Sequence, residues 1–416
     1  MTLRMPSAFH YRKFRLLWIG LLISVAGTQM QAAALLWNIR DLTNQPIALG
    51  GIGLARIVPV VIFSLVAGAV ADVVNRRNLL FLTQTGLAFF ALVLAILSFT
   101  GKISLWSIYL ITALSAIAVA FDQPARQALV PNLVPADDLP NAFSLTSIAF
   151  QVGAIIGPGL GGLVIAYFGI GYTYLLNAIS YGAVIIALIM MGSVPQQMVP
   201  NKRAAVSWAA IKEGIQFILG REIILSSMLL DFIATFFSSA NTLLPSFSRD
   251  VLHVGAVSYG WLSAAQSIGA AFAALVISQL EGIRRQGPVF LLSVVAFGVA
   301  TIAFGLSPTF AAAMVTLILV GAADSVSTII RNTIRQLQTP DYIRGRMTSV
   351  NQIFFMGGPQ LGEVEAGVVA QIFGVPFAIV SGGIGCILGV GLIVRKWPAL
   401  LHYNGDEPVE AGVPAD

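Results

Sequence analysis

VGAIIGPGLGG, Val152–Gly162, decides how the whole chain is read. From Gly157 its GPGLGG fits the G-x-G-x-x-G pattern of a dinucleotide loop, which needs a strand before it, a helix after it and an acidic residue about twenty positions on. Here the run NAFSLTSIAFQ precedes the motif and LVIAYF follows it, so the glycines lie inside one long hydrophobic segment. Glycines at spacing four clear one helix face for a neighbouring helix, and Pro158 removes a backbone hydrogen bond and favours a kink. Gly153, Gly157, Pro158, Gly161 and Gly162 therefore read as a helix-packing element, either a static seam or one along which helices slide.

The surrounding composition fits that reading. Of 416 residues 57% are hydrophobic and only 10% charged, and the mean hydropathy is +0.86. Soluble domains carry about a quarter charged residues, so a water-facing surface cannot be assembled from this chain. Apolar runs of about twenty residues, the length of a helix crossing a bilayer, recur twelve times: Leu16 to Trp37, Ala48 to Ala71, Leu79 to Phe99, Ile103 to Phe121, Ala142 to Tyr167, Tyr172 to Met191, Ile223 to Leu244, Val257 to Leu280, Val289 to Leu306, Phe310 to Ile330, Met347 to Phe373 and Val375 to Val394. A segment in hydrocarbon must satisfy its own backbone, and these lengths suit helices rather than barrel strands. The expected fold is an all-α membrane protein with twelve transmembrane helices.

With the amino terminus placed in the cytoplasm, nineteen of the 23 Lys and Arg residues fall in inner segments and three (Arg40, Lys102, Arg249) outside. The positive-inside rule then puts both termini in the cytoplasm, and the net charge of +5 reflects topology, not nucleic-acid binding. The first apolar run has no small-residue cleavage site and reads as a retained helix. The single cysteine, Cys386, excludes an internal disulfide.

The chain also repeats. At a shift of 205, Arg126 meets Arg331, Pro135 meets Pro340, Gly153 meets Gly358, Gly157 meets Gly362 and Gly162 meets Gly367. Six spans per copy give two parallel halves, residues 1–192 and 222–396, joined by a polar linker, 193–221, and followed by a polar tail, 397–416, expected to be disordered. In the linker Trp208, Ile211, Ile215, Ile218 and Leu219 recur at helical spacing, which suits an amphipathic helix lying on the membrane or packed against the bundle.

GAVADVVNRR, Gly68–Arg77, resembles the major facilitator signature G-x-x-x-D-x-x-x-R-R between the second and third helices. The glycine-proline run of the fifth span resembles the superfamily's G-x-x-x-G-P-x-x-G-G motif, associated with antiporters and exporters. LWNIRDLTNQPIALG and FDQPARQALVPNLVPADDLPNAFSL resemble the branch holding the enterobactin exporter and related drug and macrolide efflux proteins. The resemblance covers nearly the whole chain. It implies a transporter of the bacterial cytoplasmic membrane, in which Asp72, Arg76 and Arg77 form an ion-paired gate on the cytoplasmic side and the first and seventh helices line a central cavity.

A charge at mid-bilayer costs about 2.5–3.5 kcal/mol on the insertion scale, so such residues face protein or water. Arg56, Asp231, Asp324, Glu363 and Glu365 qualify. Asp231, Thr235, Ser238 and Thr242 stripe one face of the seventh span, and Ser24, Thr28, Gln31 and Asn38 stripe the first. Together with the resemblance, these stripes make Gln31, Asn38, Asp231, Thr235 and Ser238 candidate cavity walls, unless the hydroxyls merely bond their own helix. Asp231, Asp324, Glu363 and Glu365 are candidate proton carriers, and Arg56 is expected to gate the outer side by pairing with Glu363 or Glu365. Asp122 and Arg126 read as a local pair with a structural role.

No G-x-x-x-x-G-K-[ST] sequence occurs, and His10, His253 and His402 lie outside the spans. No cofactor, metal or catalytic residue is therefore expected. The reading is a monomeric secondary exporter of a small amphipathic compound, a siderophore or drug, driven by protons. A lipid or lysophospholipid transporter of the same fold and a non-transporting receptor or assembly subunit are the alternatives.

Overall fold

The computed structural model describes residues 6–196, 208–238, 240–280, 282–340 and 343–405. Among them every regular element is helical. The long helices are α1 (Arg12–Leu42), α2 (Pro46–Val73), α3 (Arg76–Phe99), α4 (Leu105–Leu129), α5 (Leu139–Tyr167) and α6 (Ile170–Met191). After the linker come α7 (Trp208–Leu219), α8 (Glu222–Phe237), α9 (Ala256–Ser278), α10 (Gln286–Gly305), α11 (Phe310–Leu337), α12 (Arg344–Phe373) and α13 (Val375–Lys396). Eleven described helical stretches are long and apolar enough to cross a membrane, the seventh of them, Glu222–Val251, running through α8 and the turns that follow it. The span expected at Met347 to Phe373 coincides with α12, which is not among them because Gln360, Glu363, Glu365 and Gln371 interrupt its apolar run.

Burial is inverted relative to a soluble protein. Leu82, Leu110, Leu292 and Leu388 are exposed on the helix surfaces, whereas Gln84, Asn177, Ser226 and Ser227 are wholly buried. That is the arrangement a hydrocarbon solvent selects, since a polar side chain left facing it would lose its hydrogen bonds.

The chain divides into two compact units, Met1–Ala205 with Leu244–Ala264, and Val206–Leu243 with Ala265–Asp416. In the first, α1 packs on α5 and α6, and α3 packs on α4 and α6. In the second, α8 packs on α12 and α13, and α10 packs on α11 and α13. The same four pairings thus recur under the 205-residue shift. Segment Leu244–Ala264 belongs with the first unit although sequence order puts it in the second copy.

Two expectations need correction. The seventh span does not run unbroken to Leu244: α8 ends at Phe237, and a 3-10 turn follows at Ala240–Leu243. Ser238, Asn241 and Thr242 there carry side chains that compete for backbone hydrogen bonds, and Pro245 lacks an N–H to continue the ladder. Ser238 and Thr242 therefore lie beyond the α-helical face that holds Asp231 and Thr235. The disorder expected over 397–416 does not hold at its start. Residues 397–405 fold back onto the second unit, with Leu400 and Tyr403 buried and the Gly287 amide donating to the Tyr403 carbonyl at 2.9 Å. The apolar Leu400 and Tyr403 supply the core that composition alone concealed; residues 406–416 lie outside the described residues.

The linker helix forms as α7. Its Ile218 is buried in a cluster with Ile224, Met228, Met347 and Val350, while Ile215 and Leu219 are exposed. The side chains of Trp208 and Ile211 lie outside those described.

Candidate functional site

The first unit encloses a cavity of about 810 Å³. Its wall takes Ser24 and Thr28 from α1, Gln84 from α3, Asp122 and Arg126 from α4, Gln151 from α5 and Tyr181 from α6, with Phe143 and Phe150 adding aromatic surface. At that size it can enclose a drug-sized molecule. On α4 the Arg126 guanidinium binds Asp122 one helical turn earlier, Nε lying 3.1 Å from Oδ2 and Nη2 making the ion pair. Gln84 Nε2 and Thr83 Oγ1 approach the other carboxylate oxygen at 2.7 and 2.9 Å. The pair read from spacing therefore forms, and it also faces the cavity, which spacing could not reveal.

Two expected wall residues sit elsewhere. Asn38 is buried and donates to the Tyr174 hydroxyl at 2.8 Å, and Gln31 accepts from Asn177 Nδ2 at 2.8 Å. With Thr28, whose hydroxyl donates to Tyr181 at 3.1 Å, they form a polar seam between α1 and α6. Gly27 permits it, since a Cβ there would strike Ser180 and Asn177. Of the α1 stripe, Ser24 and Thr28 reach the cavity and Gln31 and Asn38 do not line it.

The glycine run of α5 behaves as a packing surface. A Cβ at Gly153 would lie 2.6 Å from Val25 and 3.0 Å from the Ala26 amide, and one at Gly161 would lie 3.1 Å from Met30, so both glycines face α1. Gly162 faces Gly260 of α9, where a Cβ would come within 2.9 Å of the Gly260 Cα. Pro158, inside α5, is buried. The repeat keeps part of this design, for a Cβ at Gly358 on α12 would meet Thr235 and Phe232 of α8.

Of the gating candidates, Arg76 Nη1 donates to the Ala128 carbonyl and to Asn132 Oδ1, each at 2.9 Å, and Arg77 Nε donates to the Leu188 carbonyl at 2.8 Å. Both arginines thus bind orphan carbonyls at helix C-termini, where cations are favoured. The Asp72 side chain lies outside those described. Arg56 is half-buried on α2 of the first unit, and Glu363 and Glu365 are half-buried on α12 of the second.

The second unit holds a buried ionic cluster. Asp231 of α8 is 2% exposed and forms ion pairs with Arg331 and, at 3.4 Å, with Arg335 of α11, which are 3% and 2% exposed. Arg335 Nη2 also donates to the Ser227 carbonyl at 3.2 Å. Asp324, two turns before Arg331, is half-buried and interacts electrostatically with Arg331 and Asp231. Thr235 donates its hydroxyl to the Asp231 carbonyl at 2.8 Å, so it bonds its own helix. Arg331 and Arg335 were counted among the inner-surface charges, yet both lie in the protein interior. Asp324, Ser327 and Arg331 share one face of α11 by their spacing of three and four, and Arg335, four residues further on, extends that face toward Asp231.

Segment Leu244–Ala264 brings a second charged group to α1. A π-helical turn, Phe247–Val251, presents Arg249 and Asp250 to the end of α1, where Asp250 pairs with Arg40 at 2.5 Å and Arg249 pairs with Asp41. The Arg249 guanidinium also lies over the Trp37 ring, 5.6 Å from its centroid. These side chains are partly exposed, so alanine at Asp250 is expected to cost about 0.2–1 kcal/mol, less at high salt. Melting curves of the purified variant at low and high ionic strength check this.

Over residues 6–403 the chain matches the family described as transmembrane secretion effector. It belongs to that major facilitator family of membrane transporters, and it is a multi-pass membrane protein rather than an enzyme. The enterobactin exporter EntS of Citrobacter koseri is 28% identical over 353 residues, covering 84% of this chain and 83% of that one. EntS of Escherichia coli K12 is 28% identical over 347 residues, covering 83% and 82%. Among solved structures, the fold is similar to a bacterial homologue of the human lysosomal transporter Spinster in an inward-facing, occupied conformation (TM-score 0.73, 14% identity, 94% of this chain and 98% of that chain). It is likewise similar to the nucleoside transporter NupG (TM-score 0.67, 16% identity, 94% and 99%).

Proposed function

We propose that this chain is a monomeric proton-driven exporter of the bacterial cytoplasmic membrane that expels a small amphipathic compound, of siderophore or drug type, by alternating access. In this reading twelve helices span the bilayer, both termini are cytoplasmic, and the halves 1–192 and 222–396 rock about the substrate. The observation that carries it is the cavity of about 810 Å³, whose wall interleaves Phe143, Phe150 and Tyr181 with Gln84, Gln151 and Thr28. Apolar surface with a few polar groups is what an amphipathic ligand needs. The exporter relatives support the direction of transport. Asp231 and Asp324 are the groups through which protons would enter the cycle, each charge moved through 100 mV supplying about 2.3 kcal/mol.

Protein in liposomes tests the proposal. Acid-loaded vesicles diluted into alkaline buffer should accumulate a fluorescent efflux dye or a labelled catecholate several-fold above protein-free vesicles, and a protonophore should abolish the difference. Uptake unaffected by the protonophore would rule out proton coupling, and no uptake of any amphipathic probe would rule out export. Asp324→Asn should uncouple uptake from the gradient; unchanged dependence removes Asp324 from the proton path.

A further inference from the structure

We infer that the first-unit cavity contains an anion-recognition subsite centred on Arg126, so that the cargo carries an oxyanion beside an apolar ring; this rests on the export reading and narrows its substrate. Asp122 and Arg126 are the only Asp, Glu, Lys or Arg residues among the described side chains lining the cavity. As a bare pair they would offer a ligand no net charge. The hydrogen bonds leave that net charge unchanged but decide which partner keeps an unused group for a ligand. Both Asp122 oxygens are occupied, Oδ1 by Gln84 Nε2 and Thr83 Oγ1 and Oδ2 by Arg126, and the carboxylate side chain is only 6% exposed. Arg126 spends Nε and Nη2 on Asp122, while Nη1 makes no hydrogen bond to a described residue and the side chain is 14% exposed. The face turned to the cavity is therefore the donor side of a guanidinium held in place from behind, the geometry in which arginine recognises oxyanions.

A second observation points to a ligand. Gln84 is wholly buried on the same wall, and its Oε1 has no hydrogen-bond partner among the described residues. A buried acceptor left unpaired costs free energy that a ligand O–H or N–H would recover. An anionic oxygen on Arg126 and a neighbouring hydroxyl on Gln84 satisfy both groups, with Phe143, Phe150 and Tyr181 available to the ring. The repeat sharpens the contrast. Arg331, the counterpart of Arg126, is sealed against Asp231 at 3% exposure, so only the first copy leaves this arginine open to a ligand.

Two fluorescent probes with one aromatic body test this: anilinonaphthalene sulfonate, an anion, and uncharged N-phenylnaphthylamine. Each is titrated into the protein in lipid nanodiscs, and the saturable component absent from empty nanodiscs is measured. Arg126→Gln should weaken sulfonate binding roughly ten- to a hundredfold, the loss of one hydrogen bond to a charged group, and leave the neutral probe unchanged. Arg126→Lys should restore part of it. Asp122→Asn should keep or tighten sulfonate binding, and the double variant Asp122→Asn with Arg126→Gln should lose it. A purely structural pair predicts the opposite pattern, equal losses for both probes and for both single variants, and that result overturns the inference. So does absence of saturable sulfonate binding to the unsubstituted protein. Gradient-driven dye uptake without the probe contrast sinks the subsite and leaves export standing, whereas the contrast without uptake does the reverse.

Discussion

Alanine at Asp231 lowers the unfolding free energy by about 3–5 kcal/mol, because it strands two buried guanidinium groups without their counter-ion. Arg331 and Arg335 cannot turn to water at 3% and 2% exposure, and Arg331 Nε and Arg335 Nη1 already lack hydrogen-bond partners among the described residues. The carboxylate is what makes their burial tolerable. Thermal unfolding in detergent, followed by tryptophan fluorescence, should show a fall in midpoint of many degrees. The combined variant Asp231→Leu, Arg331→Met and Arg335→Met should recover most of it, since a fully apolar replacement of a buried ionic cluster is often neutral or stabilising. A single alanine variant that melts with the parent would mean the cluster is more hydrated than its burial indicates.

Valine at Gly157 is expected to abolish transport. A Cβ there would sit 2.5 Å from the Ala26 carbonyl oxygen, 2.7 Å from Gln29 Cβ and 3.0 Å from the Met30 amide, and the first and last of these are backbone atoms of α1 that cannot rotate away. Overpacking of this kind typically costs about 1–3 kcal/mol. Here it also pushes apart α1 and α5, two helices that line the cavity. The motif contains its own control, because the nearest atoms to a Cβ at Gly159 belong to Trp261 at 3.9 Å, ordinary contact distance. Gly159→Ala should therefore transport normally while Gly157→Val does not. Equal uptake by both, measured in liposomes at matched protein density, would show that close approach at Gly157 is dispensable.

How much of this was legible beforehand depended on whether a feature was local in the chain. Apolar runs of bilayer length and a repeat at 205 residues are one-dimensional patterns, and they reach the all-helical architecture and the likeness of the two copies, whereas which helices pack on which is read only from the structure. The Asp122–Arg126 pair was equally readable, being one turn apart. Its setting was not, since Thr83 and Gln84 reach it from α3, 39 and 38 residues away. The Asp231–Arg335 bond spans 104 residues, and a charge count that assigns every inner arginine to the lipid surface absorbs its basic partners. Removing Arg331 and Arg335 from the tally of nineteen leaves seventeen against three, so the bias keeps its sign. Asn38 and Gln31 mark a related limit. Helical spacing gives the face of α1 that is polar, but whether that face meets water or the tyrosine and asparagine of α6 depends on packing.

The folded stretch after α13 sets a rule for anyone who manipulates this protein. With Leu400 and Tyr403 embedded and the Gln338 amide donating to the Tyr403 hydroxyl at 3.2 Å, this turn works as a stopper in the end of the second unit. An affinity handle or fluorescent reporter should be joined beyond Gly405. One spliced at Trp397 pulls the stopper out and opens the hydrophobic cluster that Leu400 and Tyr403 share with Phe290 and Ile393.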